Sequence, residues 1–148
     1  HGDLDGYVYN HDEGNSFYEG GVAFNVDAQY STPNYDFGDI GTRKTLHYAK
    51  ISITPEGEVQ PTLRVRYDYE DPAIPQPPDY VLDSVTFPAI FGVSVFGDTI
   101  FGASNDPMLR QAIQGSGHAC SFRISSVDQS APYAINGLYI NYVPAGRR

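Results

Sequence analysis

The chain has 148 residues, enough for one domain with a hydrophobic core and too few for two domains of ordinary size. Hydrophobic residues make up 41% of it, which argues against disorder of the whole chain, while 15 Gly and 11 Pro favour short strands and tight turns over helices. The net charge is −9, and an acidic surface repels phosphate groups, so binding to nucleic acid is disfavoured.

We expect residues 1–148 to form a single domain. The chain begins with His1 rather than Met, which suits a fragment or domain of a longer polypeptide. The longest apolar stretch, residues 85–96, is interrupted by Pro88 and Gly92, so we expect no membrane-spanning segment.

Alternation of apolar and polar residues predicts strands near the beginning of the chain. Residues 6–10 form a short expected strand, and residues 22–30 form a much clearer one. Residues 31–42 are rich in turn-forming residues and predict a long loop, in which Tyr35 and Phe37 are candidate anchors.

The middle of the chain predicts a hairpin. Residues 44–53 and 61–70 both alternate, and residues 54–58 between them contain the Pro and Gly that are typical of a four- or five-residue connection. His47 has the same parity as the apolar residues of its strand, so we expect it to pack in the core. Residues 71–80 contain four prolines and predict an extended, projecting loop.

Further strands are expected towards the end of the chain. Residues 81–87 predict a strand, and residues 91–103 predict a hairpin that turns at Gly97-Asp98. Residues 105–107 favour the start of one helical turn, and residues 110–114 suit either its continuation or another strand.

Two strongly alternating runs close the chain, at residues 119–125 and 135–143. We expect them to form a long antiparallel pair at the centre of an all-β, jelly-roll-like antiparallel β-sandwich, with about eight or nine strands and at most one short helix. The residues expected to form its core are Phe24, Val26, Ile51, Leu63, Val65, Phe122, Ile124, Leu138 and Ile140.

No catalytic or metal-binding motif stands out. The acidic segment from Asp3 to Glu13 offers clustered oxygens but lacks the ligand spacing of a calcium loop, and acidic turns are the commoner explanation of such a segment. The four histidines show no zinc-ligand spacing. Asp68 and Glu70 share one expected strand face, an arrangement that glycosidases use and that a solvated edge also explains. We therefore expect no enzymatic activity, no metal and no cofactor.

Two features favour structural explanations. Cys120 is the only cysteine and lies on the apolar face of its strand, so we expect a buried, inert thiol. The 12 tyrosines recur on strands and loop edges, which suits a protein interface, a sugar-binding face or simply the rim of the sandwich.

Both ends of the chain resemble a known class of proteins. The runs Cys120–Ser126 and Pro132–Arg148, which finish in Tyr-Val-Pro-Ala-Gly-Arg-Arg, are similar to the C-terminal ends of tail and neck proteins of tailed, podovirus-like bacteriophages. The run Asp5–Gly14 and the pair Arg43-Lys44 fit the same pattern, whereas the proline-rich loop does not match it.

The resemblance implies a structural or assembly module of a phage virion, located in the tail or neck. Its partners would be other copies of itself or other virion proteins, without nucleic acid or membrane. The alternative is a carbohydrate-binding or host-recognition module, which an exposed aromatic platform or a calcium site would favour.

The expected contact surfaces are the proline-rich loop and the basic C-terminal tip. A proline-rich backbone is already restricted and loses little entropy on docking. The residues expected to contact a partner are Ile74, Pro75, Pro77, Pro78, Tyr80, Arg147 and Arg148.

Overall fold

A computed structural model describes residues 17–19, 22–55, 58–83, 108–128 and 132–147. These ranges form β1 Phe17–Glu19, β2 Val22–Phe24, β3 Val26–Ser31, β4 Thr42–Pro55, β5 Thr62–Tyr67, β6 Tyr80–Val81, β7 Met108–Ala112, β8 Ser116–Gly117, β9 Cys120–Asp128 and β10 Tyr133–Arg147. A three-residue turn, Asp68–Glu70, follows β5. The expectations for residues 3–13, 84–87, 91–103 and 105–107 lie outside the described residues.

The longer strands build two antiparallel four-stranded sheets. In the β4 sheet the order is β10–β4–β7, and β8 also pairs with β4; in the β9 sheet the order is β3–β9–β5–β6. β1 and β2 form a separate small hairpin. The inward faces of the two large sheets share one hydrophobic core, so the fold is an all-β sandwich, as the sequence predicts.

Two of the three expected strand pairs are wrong, and the third lies outside the described residues. β4 and β5 do not form a hairpin, because β4 pairs with β10 and β7 while β5 pairs with β9 and β6. β9 and β10 likewise belong to different sheets. In each case the chain crosses from one sheet to the other, which brings two apolar faces together across the core rather than side by side. Among the described strands, β9 is central in its sheet, whereas β10 is at the edge of its own.

The core contains most of the residues that alternation selects. Ile51, Leu63, Val65, Phe122 and Ile124 are buried, as expected. Leu138 and Ile140 are half-buried and pack against them. Cys120 is buried, as expected, and residues outside the expected core complete the cluster: Leu46, Ala49, Ile53, Tyr67, Leu82 and Ile113.

Phe24 and Val26 do not join the core, and each is 46% exposed. The expected continuous strand is broken at Asn25 into β2 and β3, and every residue of β3 is exposed. The physical reason is position: Phe24 lies in the separate β1–β2 hairpin, and β3 is at the edge of its sheet among the described strands, so neither residue is enclosed between the two large sheets.

His47 is exposed, not packed in the core. In the pairing with β10, Leu46 is opposite Tyr142 and Tyr48 is opposite Asn141, so His47 forms a β-bulge. The bulge reverses the alternation of inward and outward residues along β4. Leu46 faces the core before the bulge, and Ala49, three residues later, faces the core after it.

Candidate functional site

The sandwich is open on the side where the edge strands β3 and β10 face each other. A groove of about 790 Å³ lies there between the two sheets. We name it the aromatic groove, because seven of its lining residues are Tyr or Phe. Its lining is Tyr30, Thr32, Tyr35, Phe37, Phe122, Tyr133, Ile135, Asn136, Gly137, Leu138, Tyr139, Ile140 and Tyr142.

β10 supplies the longest wall of this groove. Tyr133 and Ile135 point inwards, and a bulge at Asn136 then shifts the parity, so that Leu138 and Ile140 continue the inward row. These side chains are only half-buried because, among the described strands, β10 has a neighbour on one side alone.

The loop after β3 closes one end of the groove. Tyr35 pairs with Cys120 through two backbone hydrogen bonds, of 2.8 and 3.0 Å. Phe37 adopts a left-handed backbone with φ of 54° and stacks on Tyr142, with ring centroids 4.4 Å apart. Phe37 thus anchors the loop, as the sequence predicts, whereas the Tyr35 side chain is 44% exposed.

Three tyrosines at the aromatic groove remain available to a partner. Tyr30 is 52% exposed and Tyr35 is 44% exposed. Tyr139 is also 52% exposed, but it alternates with the inward Leu138 and Ile140, and its ring lies beside Tyr48 on the outward face of the β4 sheet, with ring centroids 6.4 Å apart. Among the residues that the structure describes, none of their hydroxyl groups has a hydrogen-bond partner. An exposed ring with a polar tip is suited to either a protein or a sugar surface.

The opposite side of the sandwich, between β5–β6 and β7–β8, is closed. The Tyr67 hydroxyl donates to the carbonyl of Gln114 at 3.1 Å, and the Gln114 N–H donates to the Tyr80 hydroxyl at 3.0 Å. Gly115 and Gly117 lie directly against the Tyr67 ring, where a Cβ would approach ring carbons to 2.7–2.8 Å. Burial raises the pKa of Tyr67 above its ordinary value.

The proline-rich loop folds back onto β5 and does not project. The Gln76 side chain accepts from the Tyr67 N–H at 2.8 Å and donates to the Tyr67 carbonyl at 3.1 Å, so it imitates a neighbouring strand. Asp79 binds the guanidinium groups of Arg64 and Arg66. These contacts hold the middle of the loop and its C-terminal end against its own domain.

The structure separates the residues that we expected to contact a partner. Pro77 is buried and Tyr80 packs against the core, so both serve their own domain, while Ile74 is half-buried and Pro75 and Pro78 are exposed. Arg147 ends β10 opposite Thr42, on a different part of the molecule, and Arg148 lies outside the described residues. Contact between these residues and a partner stays a prediction.

Asp68 and Glu70 do not share a strand face. With Tyr69 they form three consecutive left-handed residues, with φ of 48°, 62° and 61°, each costing about 1–2 kcal/mol. The Asp68 carboxylate accepts from the N–H groups of His118 at 2.7 Å and Ala119 at 3.0 Å, which holds the turn in place. Asp68 thus has a structural role, and the glycosidase arrangement is not formed.

Other candidate chemistry has structural explanations. Cys120 is 2% exposed, as the sequence predicts, and burial raises the pKa of its thiol to about 12, which disfavours the reactive thiolate. Lys44 is buried, and its ammonium group donates to the carbonyls of Asp39 and His118. Within the described ranges, no three His, Cys, Asp or Glu residues are grouped to hold a metal, and no helix is long and apolar enough to cross a membrane.

Comparison of the chain with protein-family models, with curated proteins and with solved structures gave no match. A proposal about function therefore depends on the geometry of the two sides of the sandwich and on the sequence motifs at the chain ends.

Proposed function

We propose that this domain is a structural and assembly module that acts through protein–protein contacts on its open side. The aromatic groove is the observation that carries the proposal. It combines exposed apolar side chains with two strand edges, β3 and β10, that have no further neighbour among the described strands. Such edges are templates for pairing with another chain.

An extended segment of a second protein chain fits this groove best. Its backbone would hydrogen-bond to the 15-residue β10, and its apolar side chains would enter the groove between the sheets. The bulge at Asn136 and the proline at Pro144 interrupt the regular edge near its ends, so the stretch between them offers the pairing surface.

The motifs at the two ends of the chain extend the proposal to a location. They resemble tail and neck proteins of tailed bacteriophages, and in a virion the segment that pairs with β10 would come from another copy of this protein or from another virion protein. Localisation in the virion rests on that resemblance.

A matched pair of edge substitutions tests the proposal in assembled particles. Tyr139→Lys places a charge at the edge of the aromatic groove, and Val81→Lys places the same charge on β6, an edge strand of the closed side. We expect Tyr139→Lys to reduce incorporation of the protein into particles about tenfold or more, because edge lysines oppose strand pairing and interface tyrosines contribute strongly to binding.

Val81→Lys should leave incorporation unchanged, and thermal unfolding of both purified variants shows whether they fold. If both substitutions have the same effect, the groove is not the contact surface. If purified phage particles do not contain the protein, the proposed location is wrong.

The second candidate is a carbohydrate-binding or host-recognition module. The exposed rings of Tyr30 and Tyr35 favour it, because they supply aromatic surface at the groove. Neutral oligosaccharides that shift the NMR signals of these rings, with no effect of Tyr139→Lys on particle assembly, would support this candidate over the first.

A further inference from the structure

A second groove lies on the outward face of the β9 sheet. It encloses about 340 Å³, a size within the range of small-ligand sites. We name it the arginine groove, and it is defined by Ser31, Arg64, Arg66, Tyr69, Ser121 and Arg123.

The charges of this groove differ from those of the rest of the molecule. Three of the chain's seven arginines line it, although the net charge of the chain is −9. Arg64 on β5 and Arg123 on β9 are directly opposite each other in the pairing register. Like charges in that position repel one another, so the arrangement needs an acidic partner.

Asp79 is the partner of only two of the three arginines. Its carboxylate accepts from Arg64 Nε at 2.9 Å and from Arg66 Nη2 at 3.0 Å. Arg123 donates through Nε to Ser31 Oγ at 3.1 Å, and its two terminal nitrogens have no acceptor among the described residues. That side of the Arg123 guanidinium can donate two parallel hydrogen bonds to a ligand carboxylate.

The remaining lining suits a ligand with several hydroxyl groups. Asn34 and Ser121 supply neutral amide and hydroxyl groups that both donate and accept, whereas the Thr32 hydroxyl is already bonded to the Pro33 carbonyl and the Phe122 N–H. The left-handed turn after β5 adds Tyr69, which is 66% exposed, and the Glu70 carboxylate, which accepts hydrogen bonds. Strained turns of this kind concentrate at ligand-binding positions.

We propose that the arginine groove binds a sugar acid, that is, a saccharide ring that carries a carboxylate. The carboxylate pairs with Arg123, the ring hydroxyls bond to the neutral lining, and Tyr69 covers the apolar face of the ring. An acidic peptide would satisfy the arginine but would leave the neutral groups with fewer hydroxyl partners. This site is on a different face from the aromatic groove and does not depend on a role in a virion.

Two probes with the same sugar rings test the assignment. The ¹⁵N-labelled protein is titrated with trigalacturonate and with its methyl ester, which keeps the rings and removes the charge. We expect trigalacturonate to shift the amide signals of Ser31, Ser121 and Arg123 and to bind about tenfold more tightly than the ester. Arg123→Gln should weaken binding of the acid by about tenfold or more and leave binding of the ester unchanged.

Arg110→Gln is the matched control. Arg110 lies on β7 of the other sheet, where its guanidinium carbon is 4.4 Å from the centroid of the Tyr48 ring, and the substitution makes the same change in charge. It should leave both affinities unchanged. Tyr69→Asn removes the ring but keeps a residue that tolerates a left-handed backbone, and it should weaken binding of both probes.

Four outcomes would overturn the proposal. They are equal affinity for the acid and the ester, equal effects of Arg110→Gln and Arg123→Gln, binding of inorganic phosphate or pentaglutamate as tight as that of trigalacturonate, and the absence of any shift at millimolar trigalacturonate. Equal binding of phosphate would indicate a site for any anion, and equal binding of pentaglutamate would indicate a site for an acidic peptide.

Discussion

Tyrosine occurs on both the open and the closed side of the sandwich, but its surroundings differ between the two sides. On the closed side, Tyr67 is 1% exposed and its hydroxyl group is bonded to a carbonyl that approaches from the other sheet. On the open side, Tyr30 and Tyr139 are about half exposed, and the described residues offer their hydroxyl groups no partner. At these three positions, the tyrosine hydroxyl is bonded where backbone from the facing sheet meets it, and the tyrosine is exposed where no such backbone is near.

The largest expected effect is the difference in stability between substituting a core residue and substituting an exposed one. Phe122→Ala removes a ring that is 1% exposed and should lower the free energy of unfolding by about 3–5 kcal/mol. Phe24→Ala removes a ring that is 46% exposed, and its cost should stay within about 1 kcal/mol. Urea unfolding of the purified variants measures both, and equal losses would show that Phe24 is covered in solution.

Substitutions at two glycines compare how tightly the closed and open sides are packed. In Gly117→Ala the new Cβ would lie 2.8 Å from Cδ1 of the buried Tyr67 ring, so we expect a loss of about 1–3 kcal/mol in the free energy of unfolding. Gly137, in β10 on the open side, has no atom within 4 Å of the same position. Gly137→Ala should therefore change stability by less than about 0.5 kcal/mol, and thermal unfolding of both variants compares them.

A loss for Gly137→Ala as large as that for Gly117→Ala would contradict this difference in packing. It would mean that the wall of the aromatic groove is covered by atoms that the described residues do not supply.

The smallest expected effect concerns the ion pair beside β6 on the closed side. Hydrogen bonds from Arg64 hold the pKa of Asp79 below its ordinary value. Because the folded-state pKa is the lower one, the stabilisation is present at neutral pH and is lost as the pH falls below about 4. The pair is partly exposed, so Asp79→Asn should cost only about 0.2–1 kcal/mol at pH 7.

The pH dependence distinguishes this effect from a general loss of stability. The difference between Asp79→Asn and the parent chain should disappear as the pH is lowered to about 2, where the parent carboxylate is also neutral. Asp27→Asn, on the exposed strand β3, makes the same charge change at a residue without a salt bridge in the described ranges. If it produced the same pH-dependent difference, the effect would come from net charge and not from the ion pair.

Alternation in the sequence was a good guide to which face of a strand is apolar. It identified Ile51 and Leu63 as buried, and both are. It could not tell which strands pair, because two strands that alternate in the same way can either lie side by side in one sheet or face each other across a core. The turn-like residues between β4 and β5 suited a hairpin, but the chain uses them to cross between the sheets.

The alternation pattern also could not predict local irregularities such as β-bulges. The bulge at His47 exists because β4 pairs with β10, more than 90 residues later in the chain, and nothing in the neighbouring residues signals it. The same limit explains why Val26 was placed in the core: its own pattern is correct for a strand, but only the sheet order shows that β3 is an edge.

The candidate sites were harder to predict than the fold. The aromatic groove is formed by β3 and β10, which belong to different sheets, and the arginine groove by neighbouring strands β5 and β9 that are far apart in the chain. The sequence features that pointed to these sites were the tyrosines that alternation placed on exposed strand faces, and Arg64 and Arg66 on an outward face. They gain meaning only once Arg123 is known to lie opposite Arg64.

The reactivity of Cys120 can report how often the two sheets separate. Its thiol is enclosed by the core and remains protonated at ordinary pH, so a thiol reagent can modify only molecules in which β9 has separated from its surroundings. The rate of labelling then measures how often the two sheets come apart. Because the chain has no other cysteine, a second one placed at Tyr139 would react at once and report on the aromatic groove separately.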